Sequence, residues 1–380
     1  MTTHLAAVSP AKGRPFELQT RPTPKPGPGE LLVAVKSIAL NPADNHMRGS
    51  GLFIPKYPTV LGFDFSGLVL EVGDNVPPSF KPDTTRIAAY SASVWKSCDP
   101  DYGPFQERCL VPWQHAVALP DGDLPLSWNQ AATLPVAVQV PLSAWDAMGI
   151  PRIGESAGSA LSQSNINGEK QKYSDSNTVQ KKGALLIWGA SSSVGTMGVQ
   201  TARLLRDNNP NTPFAAVYAT SGAANKSYVG SLGADRVFDY KDSNVVDSII
   251  SAAKADGLVI RYCFLATGQL VPCQAVLKAF LGKDGGEGGK IASAPVVPPD
   301  TEIVEGVQTI FVMPSMVEGE RLEQFRYWMG TWLRENLVKG SIIPSPEPTV
   351  VGRGLGAINT GLDKLLRGVS CTKLVVEIAD

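Results

Sequence analysis

The chain has 380 residues, 43% of them hydrophobic, which is enough for two domains of ordinary size, each with its own core. Its 34 basic and 35 acidic residues leave a formal net charge of −1 without any long run of like charge, which removes the electrostatic reason to expect nucleic acid or an anionic membrane as partner. The opening stretch lacks a basic segment followed by an apolar one, no uncharged apolar run reaches ~18 residues, and Cys98, Cys109, Cys263, Cys273 and Cys371 form no C-x-x-C pair; a cytoplasmic protein with reduced thiols is expected.

Residues 1–130 are rich in Pro, Gly and β-branched side chains, with short apolar runs such as Leu31 to Val35 and Ser66 to Val72 between turn signals, which predicts a compact mostly-β unit. Apolar residues at helical spacing follow in AATLPVAVQVPLSAWDAM, where Pro135 and Pro141 are expected to break or kink the helix. Residues 152–182 are polar and without periodicity, a surface insertion.

From 184 to 312 strand-like runs alternate with helical patterns. The strands are expected at 184–188, 214–220, 236–240, 258–266, 290–294 and 308–312, with helices near 194–205, 225–232, 245–255 and 272–281 between them. Such repeated β–α units imply a parallel sheet with helices on both faces. An amphipathic helix from Arg321 to Val338 and a final strand at 373–378 complete the chain. The predicted fold class is α/β, with one mostly-β domain formed by 1–135 and 340–380 and a doubly wound parallel-sheet domain at 136–339.

The first of those strands runs into Gly189-Ala190-Ser191-Ser192-Ser193-Val194-Gly195 and then a helix. A tight turn in this position presents backbone N–H groups and a positive helix end to a pyrophosphate. With Gly195 as the third glycine of G-x-G-x-x-G, Ala190 and Ser192 replace the other two, and as an isolated motif the turn serves equally well without a ligand. The acid that would bond a ribose 2′-hydroxyl after the second strand is missing from ATSGAANK (219–226). Ser221 and Lys226 there suit a 2′-phosphate, which favours NADPH over NADH.

In combination, KPGPGELLVAVKSIALNPADNHMRG (25–49), YPTVLGFDFSGLVLEVG (57–73), GPFQERCLVP (103–112), AATLPVA (131–137), LGADRVFDYKD (232–242) and GLGAINTGLDKLLRGVSCTKLVVEI (354–378) give the chain a resemblance. It resembles the medium-chain dehydrogenase/reductase superfamily, in its zinc-free quinone-oxidoreductase and enoyl-reductase branch, and most of all the fungal stand-alone enoyl reductases of secondary metabolism. The resemblance implies a GroES-like mostly-β domain beside a Rossmann domain. It assigns the 2′-phosphate to Lys226 and to Tyr240 of the F-x-Y motif, and further cofactor contacts to Ala266, Thr267 and Ala294.

Zinc-dependent members of the superfamily carry a Cys where this chain has Asn41, and a G-H-E-x-x-G stretch that here reads Gly62-Phe63-Asp64-Phe65-Ser66-Gly67. Phenylalanine binds no metal, and only Cys98 and Cys109 stand where a structural site needs four cysteines, so no zinc is expected. His46 falls where some fungal enoyl reductases have an active-site lysine; it is the first candidate for substrate binding or proton donation, with Tyr57 and Tyr90 as fallback donors. His115 reads as an ordinary polar residue, while Trp95, Tyr102 and Phe105 are candidates for an apolar substrate mouth.

The implied reaction is NADPH-dependent reduction of an activated C=C in a small apolar unsaturated carbonyl compound, an enone, enoyl thioester or quinone, free or carried by a polyketide synthase. The nicotinamide is expected between the domains, near His46, Tyr57, Val140 and 292–296. Val140-Pro141 and Leu265 replace polar character found in relatives, which keeps two alternatives open: a non-redox cyclase or pericyclase on the same scaffold, and a non-catalytic nucleotide-binding relative. A monomer, or a homodimer paired through the edge strand 308–312, is expected.

Overall fold

The computed structural model describes residues 2–120, 126–154, 183–282, 288–298 and 300–378; nearly all of the expected insertion at 152–182 lies outside them. The chain begins with β1 (Thr3–Ser9), β2 (Glu17–Pro22) and β3 (Glu30–Ala39). β3 is a nearly continuous apolar run, buried along most of its length, because strands pair with both of its edges.

Helix α1 (Pro42–Ser50) starts at Asn41, whose amide donates to the Asp44 side chain in the manner of a capping box, with Pro42 in the first turn. It stops at Gly51, whose φ of 73° is the left-handed conformation that ends helices. Then come β4 (Thr59–Val60), β5 (Asp64–Val72), β6 (Arg86–Tyr90), β7 (Arg108–Pro112) and β8 (Ala116–Ala118). Helix α2 (Trp128–Ala132) ends at Thr133 and α3 (Leu134–Met148) follows at once. Pro135 sits in the first turn of α3, where no N–H is required; Pro141 lies inside the helix, which continues through it.

The Rossmann unit contributes β9 (Gly183–Trp188), α4 (Ser193–Asn208), β10 (Phe214–Ser221), α5 (Lys226–Ser231), β11 (Arg236–Asp239), α6 (Val245–Ala255), β12 (Val259–Leu265), α7 (Leu270–Lys278), β13 (Gly289–Ser293) and β14 (Val307–Phe311). These strands form one parallel sheet in the order β11-β10-β9-β12-β13-β14, with β9 at the switch point. On one face Leu186, Tyr218, Ile249, Cys263, Val276 and Ile291 form a fully buried cluster. The return segment holds α8 (Glu318–Phe325), a π-helical stretch from Arg326 to Leu333, α9 (Arg334–Val338), β15 (Pro348–Arg353), α10 (Ala357–Leu366) and β16 (Lys373–Glu377). β16 closes the larger sheet of the first unit, ordered β15-β16-β3-β5-β6-β8, with β7 also on β3.

Compactness divides the chain into Met1–Gln139 with Pro314–Asp380, and Val140–Met313. This corrects the expected boundary: the helix around 321–338 joins the mostly-β unit, because α8 and the π-helical stretch pack on Trp113–His115 and β8. Periodicity identifies that helix but says nothing about which core its apolar stripe serves.

Candidate nucleotide and catalytic sites

At the carboxyl end of β9 the chain must turn within a few residues into α4. Gly189 allows this with φ of 80°, and a Cβ there would lie 2.5 Å from Thr267 Cγ2 and 2.6 Å from the Thr267 carbonyl oxygen. Gly195 has no room either, since its Cβ would come within 2.4 Å of the Gly189 carbonyl oxygen. Ser192 caps α4: its hydroxyl accepts from the Gly195 amide (3.1 Å) and donates to the Gly189 carbonyl (2.8 Å). Thr220 braces the other side, accepting from the Gly189 amide through Oγ1 (3.0 Å) and from the Ala190 amide through its carbonyl (2.8 Å). The amides of Ser191, Ser193 and Val194 donate to no protein acceptor among the described residues, so three donors at a helix N-terminus remain for an anion.

The other expected cofactor residues lie at or just after the carboxyl ends of β10, β11, β12 and β13, with Lys226 opening α5. The Ala266 amide bonds the Trp188 carbonyl (2.9 Å), and the Ala294 amide bonds the Leu265 carbonyl (2.9 Å). Ser221, fully buried, ends β10; its carbonyl accepts from the Tyr240 amide at 3.2 Å. Tyr240 is exposed and lies beside Gly222. Lys226 opens α5 with its amine exposed and without a salt-bridge partner among the described residues. Asp239 stands on β11 in register with Ser221; its carboxylate accepts from the Lys241 amide at 3.0 Å.

At the positions where zinc-dependent members carry ligands, the first unit holds a buried ionic cluster. Asn41, Asp44, Asp64 and Lys373 are all at most 4% exposed. Lys373 Nζ donates to Asn41 Oδ1 (2.5 Å) and Asp64 Oδ2 (3.0 Å), Asn41 Nδ2 donates to Asp64 Oδ2 (3.0 Å), and the Val136 amide donates to Asp64 Oδ1 (2.7 Å). Asp44 Oδ2 accepts from the Asn41 amide (2.7 Å), but Oδ1 has no partner. Burial is the main reason its carboxyl is pushed up to about 7, with Asp64 adding to the rise while the Asn41 amide and Lys373 oppose it. These residues do not fit a zinc ion: an ammonium already takes the lone pairs of Asn41 and Asp64, and a divalent cation there would face it at contact distance.

His46 stands exposed on α1, and its ring has no protein partner among the described residues. Tyr57 lies at the far end of the same helix, where a Cβ on Gly51 would be 3.0 Å from its hydroxyl; that hydroxyl is buried without a partner, and burial raises its pKa. Tyr90 is 8% exposed and packs 4.9 Å from Phe325 and 5.8 Å from Phe63; burial, with Asp64 and Asp44 behind it, makes its phenol hold the proton more tightly. His115 is buried, donates from Nδ1 to the Tyr90 carbonyl (3.2 Å) and stacks on Phe325 at 3.8 Å; burial lowers it to about 3, so it is neutral.

Two residues expected at a substrate mouth are engaged elsewhere. Phe105 is fully buried, edge-on to Phe16 at 5.5 Å, and fills the space Gly62 leaves; Tyr102 donates to Glu30 at 2.6 Å. Sequence reasoning missed Thr220, Asp44 and Lys373. The Asn41-x-x-Asp44 spacing before a helix is the signal of a capping box, and a lysine directly before the apolar run 374–376 of β16 was a sign of a buried charge.

A GroES-like sheet and a Rossmann sheet with a glycine turn at its switch point define a two-domain dehydrogenase fold. Residues 27–121 match the family described as alcohol dehydrogenase GroES-like domain. The chain is 36% identical over 378 residues to trans-enoyl reductase tndF of Aspergillus flavipes, covering 99% of each, and 32% identical over 385 residues to dehydrogenase orsE of Emericella nidulans, covering 100% of each. The crystal structure of an alcohol dehydrogenase superfamily protein from Novosphingobium aromaticivorans has the same fold, with a TM-score of 0.74 at 19% identity over 99% of this chain and 100% of that one. The chain therefore belongs to the medium-chain dehydrogenase/reductase superfamily, with the fungal trans-enoyl reductases among its relatives. Membership supports an oxidoreductase that uses a nicotinamide cofactor. No helix among the described residues is long and apolar enough to cross a membrane.

Proposed function

We propose that the protein is an NADPH-dependent, zinc-free reductase of activated C=C bonds in fungal secondary metabolism, acting on an enone, enoyl thioester or quinone, free or carrier-bound. The observation that carries the reading is the commitment of Asn41 and Asp64 to Lys373. With no Lewis acid to stabilise an alkoxide, the carbonyl that spreads the developing charge has to belong to the substrate.

The free amides of Ser191, Ser193 and Val194 suit the cofactor's pyrophosphate, and Lys226, Ser221 and Tyr240 suit a 2′-phosphate. The cofactor, when bound, supplies hydride. The substrate α-carbon then takes a proton, and His46 is the candidate donor because its exposed ring can be reprotonated from water. The trans-enoyl reductase names of tndF, of tazE from Aspergillus terreus and of himH from Aspergillus japonicus favour the enoyl class over the others.

The test is NADPH consumption, followed spectroscopically against a panel of enones, enoyl thioesters and quinones in buffer containing a metal chelator. Turnover that survives the chelator is expected; oxidation of simple alcohols in its place, or turnover abolished by the chelator, refutes the reading. His46→Ala should lower kcat about 10²-fold, within the usual range for a general acid. An unchanged kcat would assign the proton to Tyr57 or to water.

A further inference from the structure

Arg321 stands on α8 with 6% of its surface exposed, and among the described residues it forms no salt bridge with a carboxylate. Its Nη1 donates to the carbonyls of Ser315 (3.2 Å) and Met316 (3.3 Å), and its guanidinium carbon lies 4.7 Å over the ring of Trp95. The stacking and the two carbonyls fix the plane of the group. They leave one edge, Nε and Nη2, without a protein acceptor; Nε is buried in that state.

A neighbouring group is in the same condition: Trp95 Nε1, in the short 3-10 turn Ser93–Lys96, is buried without a partner. The nearby acid Glu318 is paired with Lys96 at 3.6 Å, so two cations face one exposed carboxylate and one positive charge is left over. His115, stacked on Phe325 one helical turn beyond Arg321, is neutral and adds no charge.

Water can satisfy an N–H but does not neutralise a guanidinium held away from bulk solvent, and a metal ion is repelled by it. The parallel pair of donors on the Nε–Nη2 edge is the fork that matches two oxygens of a carboxylate or phosphate. We propose that Arg321 and Trp95 form a subsite for one oxyanion, a phosphate ester or a carboxylate, carried by the substrate away from its reacting double bond. Assigning the anion to the substrate rests on the reductase reading; oxyanion binding by these residues does not.

The experiment is isothermal titration of the full chain with inorganic phosphate, methyl phosphate and acetate, comparing wild type with Arg321→Met and Trp95→Phe. The first variant keeps the buried stem and removes the charge; the second keeps the ring and removes the N–H. The difference between wild type and variant separates this subsite from the nucleotide turn, which all three proteins share. At least one anion should bind wild type with one site that both variants weaken ten-fold or more, the phosphates marking an ester and acetate a carboxylate. Binding unchanged in both variants overturns the subsite; should Arg321→Met fail to fold, Trp95→Phe decides.

For the substrate assignment, KM for an enoyl compound bearing the preferred anion should rise about ten-fold in Trp95→Phe at unchanged kcat, while KM for a neutral enone stays constant. Equal changes for both compounds overturn it. If no enoyl compound turns over at all, the reductase reading fails while the titration still judges the oxyanion site.

Discussion

The Gly189–Gly195 turn and the Asn41–Asp44–Asp64–Lys373 cluster both gather polar groups at the start of a helix, yet they distribute their hydrogen bonds in opposite ways. In the cluster nearly every donor finds an internal acceptor: the ammonium, the amide and the carboxylate close on one another, and only Asp44 Oδ1 is left over. In the turn, Ser192 and Thr220 hold the backbone in shape, and the amides of Ser191, Ser193 and Val194 are left for something else. A closed network specifies structure, whereas a braced but unsatisfied one specifies a ligand. Substitutions in the first should therefore be read in stability, and in the second in binding.

The largest effect is expected at Lys373. Lys373→Met removes the cation and leaves Asp64 buried with only Asn41 and the Val136 amide; breaking one side of a buried pair costs ~3–5 kcal/mol. Urea unfolding should show this loss, and the double variant Lys373→Met with Asp64→Asn should recover part of it, because the stranded charge is then gone. A loss below ~1 kcal/mol would mean that the cluster is solvated and behaves as a surface pair does.

Asp44 sharpens the same side of the comparison through pH. Its carboxyl titrates near 3.8 when unperturbed and near 7 in the fold. Between those values the native state binds more protons than the unfolded chain, so stability falls as pH rises from about 4 to 7 and is level above that, with a slope of at most ~1.4 kcal/mol per pH unit. Asp44→Asn keeps an acceptor for the Asn41 amide and cannot ionise. Unfolding midpoints measured between about pH 4.5 and 7.5 should therefore slope less in the variant than in the parent, and identical slopes would remove Asp44 as the titrating group.

How much of this was legible in the sequence follows the same division. The turn could be read because everything it needs is local: a strand, a glycine with no room for a side chain, a serine cap and a helix lie within about a dozen residues. The alternation of strands and helices through 183–311 was readable for the same reason, since each element carries its own period. The cluster was hidden because Lys373 lies 309 residues from Asp64 and 332 from Asn41 along the chain. The return of residues 314–339 to the first unit was hidden too, as an apolar stripe does not say which core it covers, and Phe105 looked like a site residue because aromaticity alone does not distinguish a mouth from a core. The free amides are visible only once the hydrogen bonds of the turn are assigned one by one.

The last and smallest effect belongs to Lys226, and it tests the open side of the comparison. Its amine is exposed at the start of α5, so its removal exposes no buried partner, and Lys226→Ala should leave unfolding unchanged within the ±0.5 kcal/mol usual for surface substitutions. A charge-assisted bond to a 2′-phosphate is worth ~1.5–3 kcal/mol, so NADPH should bind roughly ten-fold or more weakly to the variant. NADH has no such phosphate and reaches the protein through the pyrophosphate that the turn would hold, so its affinity should stay the same. Titration of both cofactors against parent and variant by fluorescence separates the possibilities. An equal loss for both places Lys226 at the pyrophosphate instead, and tighter NADH binding in the parent moves the preference to Asp239, the one carboxylate in register with Ser221, acting on a ribose hydroxyl.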